Sequence, residues 1–206
     1  PTLVLDGGLG TNSLSKTDGT NSWSITGSGA GTVGNITFSS MQTITGGSGI
    51  DTFTVPSGVN PTITVTGGSG AQELAQTDGI NSWSVSGSGD GTVDNVTFTN
   101  IGALTGGSGA DTLTTSGVGP FDWAIDSATT GTVEGISFSN MNTLVGGAGA
   151  DNFTVNSGVD PTLVLDGGLG SNSLSKTDGT NNWEISGSAA GTVGNITFSS
   201  MQTITG

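Results

Sequence analysis

The sequence predicts an all-β chain folded as a parallel β-solenoid, β-helix- or β-roll-like, with about ten coils of about 20 residues each. Three observations predict it. Glycine-rich corners recur at nearly constant spacing. A short strand of alternating polar and apolar residues follows each corner. No segment carries a helical period, and Gly, Thr, Ser, Asn and Val dominate the composition.

The corners start at Gly7, Gly27, Gly46, Gly67, Gly87, Gly106, Ser127, Gly146, Gly167, Gly187 and Gly206, an almost even ladder of positions. Three are full motifs: GGSGIDTFT from Gly46, GGSGADTLT from Gly106 and GGAGADNFT from Gly146. Weaker copies start at Gly7, Gly67 and Gly167. Looser corners (GSGAG, GSGDG, GSAAG) start at Gly27, Gly87 and Gly187, and Ser127 is placed by spacing as much as by composition. If each coil climbs one strand spacing of about 4.8 Å, ten coils make a rod of roughly 48 Å.

A longer period lies above the coil. Segments 1–46 and 161–206 differ only at positions 11, 22, 24, 26 and 29. The chain therefore reads as a single continuous solenoid over 1–206, with 1–160 one eight-coil long repeat and 161–206 the start of the next copy. On this reading it is a window on an array, with neighbouring copies of itself as partners in a fibre.

Taken in order, PTLVLD at the start places Leu3 and Leu5 on one face. Leu14 is the inward residue of the next strand, and Thr17–Asn21 is an Asp-Gly turn. Trp23 and Ile25 point in together, followed by Val33, Ile36, Phe38, Met41 and Ile44. The Gly46 coil contributes Phe53 and Val55, then Ile63 and Val65 beyond a turn flanked by Pro56 and Pro61. The second copy repeats the order with Trp83, Val85, Val93, Val96, Phe98, Ile101 and Leu104. The third copy goes straight from SGVG to PFDWAID, so one coil of the Leu14 type is missing. A one-dimensional stack tolerates that loss. Trp123 and Phe138 are its inward aromatics.

With 39 glycines and 31% hydrophobic residues an ordinary globular core would be thin, but stacked coils bury their inward faces on one another. Sixteen acids face two lysines, Lys16 and Lys176, for a net charge of -14. Phosphate recognition needs clustered Lys or Arg, so nucleic acid is not expected as a partner, nor is an anionic membrane. Membrane insertion is not expected, because no apolar run reaches about 18 residues. Without His, Cys or Tyr, acid–base chemistry would fall to carboxylates alone. The acids are scattered over turns, and no enzyme activity is expected.

The three full corners fit G-G-x-G-x-D-x-U-x, with U a large apolar residue. This pattern resembles the calcium-binding nonapeptide of RTX (repeats-in-toxin) proteins. The resemblance implies carboxylate ligands at Asp51, Asp111 and Asp151, and carbonyl ligands from Gly46, Gly47 and Ser48, from Gly106, Gly107 and Ser108, and from Gly146, Gly147 and Ala148. Such hard oxygen donors suit Ca²⁺. Two features depart from that family. One motif occurs per coil here, where the family runs its motifs in direct tandem. The following same-side corner carries Gln72 or Asn172 where the family has a second carboxylate. Turn capping by Asp side chains is the other reading of the same residues.

The wider phrase, W-x-I/V-x-G…GTV…F-S-x-M-x-T-I-T-G-G-S-G-x-D-x-F, resembles the repeats of giant bacterial surface proteins, variously β-strand-repeat, haemagglutinin-like or adhesin-like. That resemblance covers essentially the whole chain. It implies an extracellular, cell-surface rod or spacer serving adhesion, cell–cell or matrix contact, as in biofilms. A calcium-dependent module binding carbohydrate or cell-surface glycans is the alternative. The recurrent tryptophans read as core residues in preference to sugar platforms. Ice binding is a remoter alternative, since T-x-T pairs abound but Thr62/Thr64 becomes Thr2/Val4 and Thr162/Val164 elsewhere.

Overall fold

The computed structural model describes residues 2–206. Among them are 25 strands and no helix. They fall into four runs, each cut from one seven-strand pattern. The first is β1 (Leu3–Asp6), β2 (Ser13–Ser15), β3 (Asn21–Gly27), β4 (Ala30–Val33), β5 (Ile36–Ser39), β6 (Thr43–Thr45) and β7 (Asp51–Val55). The second is β8 (Ile63–Thr66), β9 (Gln72–Gln76), β10 (Ser82–Gly87), β11 (Asp90–Val93), β12 (Val96–Thr99), β13 (Ala103–Thr105) and β14 (Thr112–Thr115). The third lacks the first two members: β15 (Asp122–Ile125), β16 (Gly131–Val133), β17 (Ile136–Ser139), β18 (Thr143–Val145) and β19 (Asn152–Val155). The fourth is β20 (Val164–Asp166), β21 (Asn172–Lys176), β22 (Trp183–Gly187), β23 (Ala190–Val193), β24 (Ile196–Ser199) and β25 (Met201–Thr205).

The strands form two sheets. The longer runs β1-β5-β4-β3-β7-β9-β13-β17-β16-β15-β19-β21-β25, and the shorter β2-β6-β8-β12-β11-β10-β14-β18-β20-β24-β23-β22. The chain crosses from one sheet to the other at the corners of Gly7, Gly46, Gly67, Gly106, Gly146 and Gly167 and again at each return, so the coils are two-sided. Strands brought together by crossing pair in parallel, Trp23 opposite Phe53 and Asp51 opposite Gln72 among them.

The expected count of ten coils is corrected to about seven turns. The corners at Gly27, Gly87, Ser127 and Gly187 are not coil corners at all. They are the tips of antiparallel hairpins joining β3 to β4, β10 to β11, β15 to β16 and β22 to β23. Each hairpin doubles back once more, as β4 to β5 does, making a three-stranded meander within one sheet. The sheets are therefore mixed rather than purely parallel. The meanders lengthen the rod, since the 13 strands of the longer sheet span about 58 Å at about 4.8 Å each.

The two copies of the long repeat do not begin on the same face. β1 lies in the longer sheet, but β20, its counterpart in the later copy, lies in the shorter. The offset is thus an odd number of half-turns. Nineteen strands, β1 to β19, are shared between two sheets, giving an axial step of about 46 Å with the faces exchanged. The missing coil of the third run removes two strands, one in each sheet, so the alternation of faces survives.

Inward residues of both sheets form one hydrophobic cluster from Trp23 to Met201. Ile25, Phe38, Phe53, Ile63, Trp83, Phe98, Trp123 and Phe138 are buried as expected. Leu3 is not: it is 53% exposed on the terminal strand β1, and Leu14 is only partly buried. Among the described residues no further turn lies over them. Each meander is organised by aromatics. Trp23 packs edge-on to Phe38 at 6.0 Å and stacks on Phe53 at 5.6 Å; Trp123 stacks on Phe153 at 5.3 Å. The Phe of the third strand lies over a glycine in the second. A Cβ on Gly91 would stand 2.1 Å from Ser84 O and 2.6 Å from Phe98 Cζ. Gly31, Gly131 and Gly191 meet the same contacts, which is why the middle strand always reads G-T-V.

Candidate functional site

The three aspartates of the full corners are fully buried, each at 0% exposure. The register of adjacent strands places them in polar ladders running along the rod. Asp51 Oδ1 accepts from Asn21 N at 2.8 Å and from Asn21 Nδ2 at 2.7 Å. Asp111 Oδ1 accepts from Asn81 N at 2.8 Å and Nδ2 at 2.6 Å. Asp151 Oδ1 accepts from Phe121 N at 2.9 Å. On the other side each aspartate donates its own N–H to an amide side chain: Asp51 to Gln72 Oε1 at 3.1 Å, Asp111 to Asn142 Oδ1 and Asp151 to Asn172 Oδ1, both at 2.9 Å. The amides at Gln72 and Asn172 are therefore the next rungs of the ladder. Asn21 and Asn81, which begin two of the ladders, escaped the sequence reading. Their only signal was a recurring offset from Asp51 and Asp111, equal in the two cases.

The second oxygen of each aspartate differs. Oδ2 of Asp51, Asp111 and Asp151 is buried and has no hydrogen-bond partner. It and a carbonyl from the next turn both lie against the first glycine of the motif. A Cβ on Gly46 would be 2.5 Å from both Asp51 Oδ2 and Gly67 O. On Gly106 it would be 2.7 Å from Asp111 Oδ2 and 2.5 Å from Asn140 O; on Gly146, 2.4 Å from Asp151 Oδ2 and 2.5 Å from Gly167 O. The first glycine is thus dictated by space.

The weaker corners show what the same geometry does with an amide. Asn12 and Asn172 occupy the aspartate position beside Gly7 and Gly167. Asn12 Nδ2 donates to Ser40 O at 3.0 Å, and Asn172 Nδ2 to Ser200 O at 3.0 Å. At the aspartate corners the equivalent carbonyl and the partnerless Oδ2 border the same glycine. Burial pushes the Asp111 and Asp151 carboxyls above the usual aspartate range. Hydrogen bonds from Asn81 oppose this at Asp111, where Asp94 adds a small push upward. Phe121 N–H and Gly147 N–H oppose it at Asp151, the latter without reaching hydrogen-bond geometry.

Among the carbonyls the calcium resemblance singles out, several already serve the solenoid. Gly47 O accepts from Ser69 N at 2.8 Å, Gly147 O from Leu169 N at 3.0 Å, and Gly106 O from Asn81 Nδ2 at 3.1 Å. Gly46 and Gly146 donate their N–H groups to Thr66 O and Asp166 O. Gly107, at φ 88°, packs against Gln76 O, where a Cβ would come within 2.6 Å. Each corner thus offers one partnerless carboxylate oxygen and one carbonyl beside the same glycine. Among the described residues no three His, Cys, Asp or Glu side chains gather at one point. That donor set is short of the six to eight oxygens Ca²⁺ takes, unless water supplies the rest.

Outside the corners, Trp23, Trp83 and Trp123 are buried and present no platform to a sugar. The outer face of the shorter sheet carries two hydroxyl rows, Ser13-Thr43-Thr64-Thr97 and Ser15-Thr45-Thr66-Thr99, over β2, β6, β8 and β12. The aligned pairs include Thr64/Thr66, not the Thr62/Thr64 pair considered from the sequence. Among the described residues no helix is long and apolar enough to cross a membrane. Comparison of the chain with protein-family models, with curated proteins and with solved structures finds no match in any of the three.

Proposed function

We propose that the chain is a structural segment of an extracellular rod, a spacer that holds a tip or a neighbouring surface at a distance. One observation carries the reading. A single uninterrupted core runs from Trp23 to Met201, and the buried polar side chains serve mainly to join one turn to the next. The acidic, cysteine-free composition suits a protein surrounded by solvent on all sides. The test is to vary length. A binding tip is displayed on cells over this chain, over the chain shortened by segment 61–120, and over the chain with that segment duplicated. Removing or adding those seven strands should change the tip's reach by about 17 Å in each direction. An unchanged reach, or saturable binding of the bare chain on a glycan array, overturns the spacer reading.

The unpartnered Oδ2 atoms support a second reading, in which calcium stiffens the rod. Asp51, Asp111 and Asp151 would hold the ion with Gly67 O, Asn140 O and Gly167 O, neutralising a buried charge that otherwise has no partner. Binding to the folded state alone raises the melting midpoint by mass action. A midpoint unmoved between calcium and chelator ends this reading and leaves the spacer intact.

A further inference from the structure

Four asparagines stand in the pattern Asn-x-Thr: Asn35, Asn95, Asn152 and Asn195. That pattern accepts N-linked sugar, because a transferase reads the asparagine amide together with the threonine hydroxyl two residues on. The fold divides the four into two kinds. Asn35, Asn95 and Asn195 are the second residues of the two-residue turns joining β4 to β5, β11 to β12 and β23 to β24. The residue before each takes a positive φ: 55° at Gly34, 50° at Asp94 and 57° at Gly194. The chain reverses there and leaves the asparagine exposed at the end of its hairpin. Alternation then turns the middle residue of each pattern toward the core and sends Thr37, Thr97 and Thr197 outward, all three exposed. Amide and hydroxyl thus both meet solvent. The third meander has Gly135 at the equivalent place and carries no such pattern.

Asn152 bears the same pattern inside a sheet. β19 lies between β15 and β21, with Asn152 opposite Asp122 on one side and Ser173 on the other. Its Nδ2 donates to Asp122 Oδ1 at 2.9 Å, its Oδ1 accepts from Ser173 Oγ at 2.8 Å, and its backbone N–H donates to Phe121 O at 2.9 Å. Phe153 beside it is fully buried. The nitrogen that would bond a sugar is already engaged, and the strand would have to leave the sheet to enter an enzyme. Asn195 Nδ2 is held more weakly, 3.3 Å from Asp160 Oδ2 on an exposed turn.

We propose that Asn35, Asn95 and Asn195 are acceptor sites for N-linked carbohydrate, and that the fold withholds Asn152. The donor is a sugar activated as a diphosphate ester. Asn Nδ2 forms a bond to the anomeric carbon, and the bond from that carbon to the diphosphate oxygen breaks. The diphosphate leaves with its nucleotide or lipid, and the amide gives one proton to the transferase's base. Each sugar would project from the end of a hairpin, so the outer faces of both sheets stay clear. The inference goes beyond the spacer reading and does not depend on it.

The test uses the folded 206-residue chain. One arm supplies a soluble N-glycosyltransferase with UDP-glucose, the other a single-subunit oligosaccharyltransferase with a lipid-linked sugar, so the arms separate the two donors. In at least one arm, intact mass should show sugar added, and peptide mapping should place it at Asn35, Asn95 and Asn195. Replacing these together (Asn35→Gln, Asn95→Gln, Asn195→Gln) should abolish the addition, and Asn152→Gln should leave it unchanged. A synthetic peptide of segment 148–158, AGADNFTVNSG, should accept sugar from the same enzyme, since nothing holds its asparagine. No sugar on the folded chain from either donor overturns the proposal. So does sugar at Asn152 of the folded chain in the same yield as at the turns, or refusal of the peptide, which would put the block in the sequence and not in the fold.

Discussion

Replacing Asp151 by Asn should stabilise the rod at neutral pH in the presence of chelator. The wild-type side chain buries an oxygen with no donor beside Gly167 O. The variant keeps the acceptor that Phe121 N–H uses at 2.9 Å and turns the other atom into a donor aimed at Gly167 O. Asn172, one turn further on, already makes that bond to Ser200 O at 3.0 Å. A buried polar atom without a partner costs about 1–3 kcal/mol, so the gain should lie in that range. For a chain of this length it raises the melting midpoint by roughly 2–4 °C per kcal/mol. The gain should depend on pH. Burial raises the folded pKa of Asp151, so the folded chain holds that proton more tightly than the unfolded chain does. Stability therefore falls as pH climbs from the ordinary aspartate range through the raised folded value. The penalty is absent in acid and complete only above the raised folded value. Asp6 and Asp178 slope the other way, since hydrogen bonds from Gly8 N–H and Gly158 N–H hold them below the usual range. They are common to both proteins and cancel in the difference. Melts followed by circular dichroism at neutral and acid pH give the comparison. A variant less stable than wild type at neutral pH in chelator, or a gain unchanged in acid, would refute the reasoning.

Phe98→Ala removes a ring that is fully buried and packs against Trp83 at 6.4 Å; a loss of about 3–5 kcal/mol in a denaturant melt is expected. Gly91→Ala should be at least as damaging as an ordinary core substitution, because its Cβ would fall 2.1 Å from Ser84 O, a backbone atom held in a hairpin. A loss below about 1 kcal/mol would mean the meander can open without cost. Ala189 stands at φ 59°, where the first run has Gly29 at φ 66°. Ala189→Gly should therefore stabilise by about 1 kcal/mol, read as a shift in the denaturant midpoint with unchanged slope.

The inward-facing set was legible because its causes are local. Alternation at period 2 places Trp83, Val85, Val93, Val96 and Phe98 on one side of any strand they form, whichever strand lies next to them. The glycines of the full corners follow from the same kind of constraint, since Gly47 and Gly49 lie at positive φ and pack against the previous turn's backbone. What the sequence left open was the direction of each return. A hairpin tip such as GSGAG and a coil corner such as GGSG use the same residues, and both are followed by an alternating strand of the same phase. Only the two-residue turns Gly34-Asn35, Asp94-Asn95, Glu134-Gly135 and Gly194-Asn195, spaced between apolar residues, mark the meanders in the sequence.

The candidate site divides the same way. The motif G-G-x-G-x-D named Asp51, Asp111 and Asp151, and their burial follows from the glycine that must lie against them. Whether each carboxylate is satisfied depends on atoms a full turn away in the chain, brought alongside by strand register. The exchange of faces between the two copies of the long repeat and the missing partner of each Oδ2 belong to that second kind. Sequence specified which residues turn inward and where the chain bends, because those are properties of single residues and their neighbours. Tertiary structure alone decided which turns lie side by side, because parallel pairing is fixed by the stack as a whole.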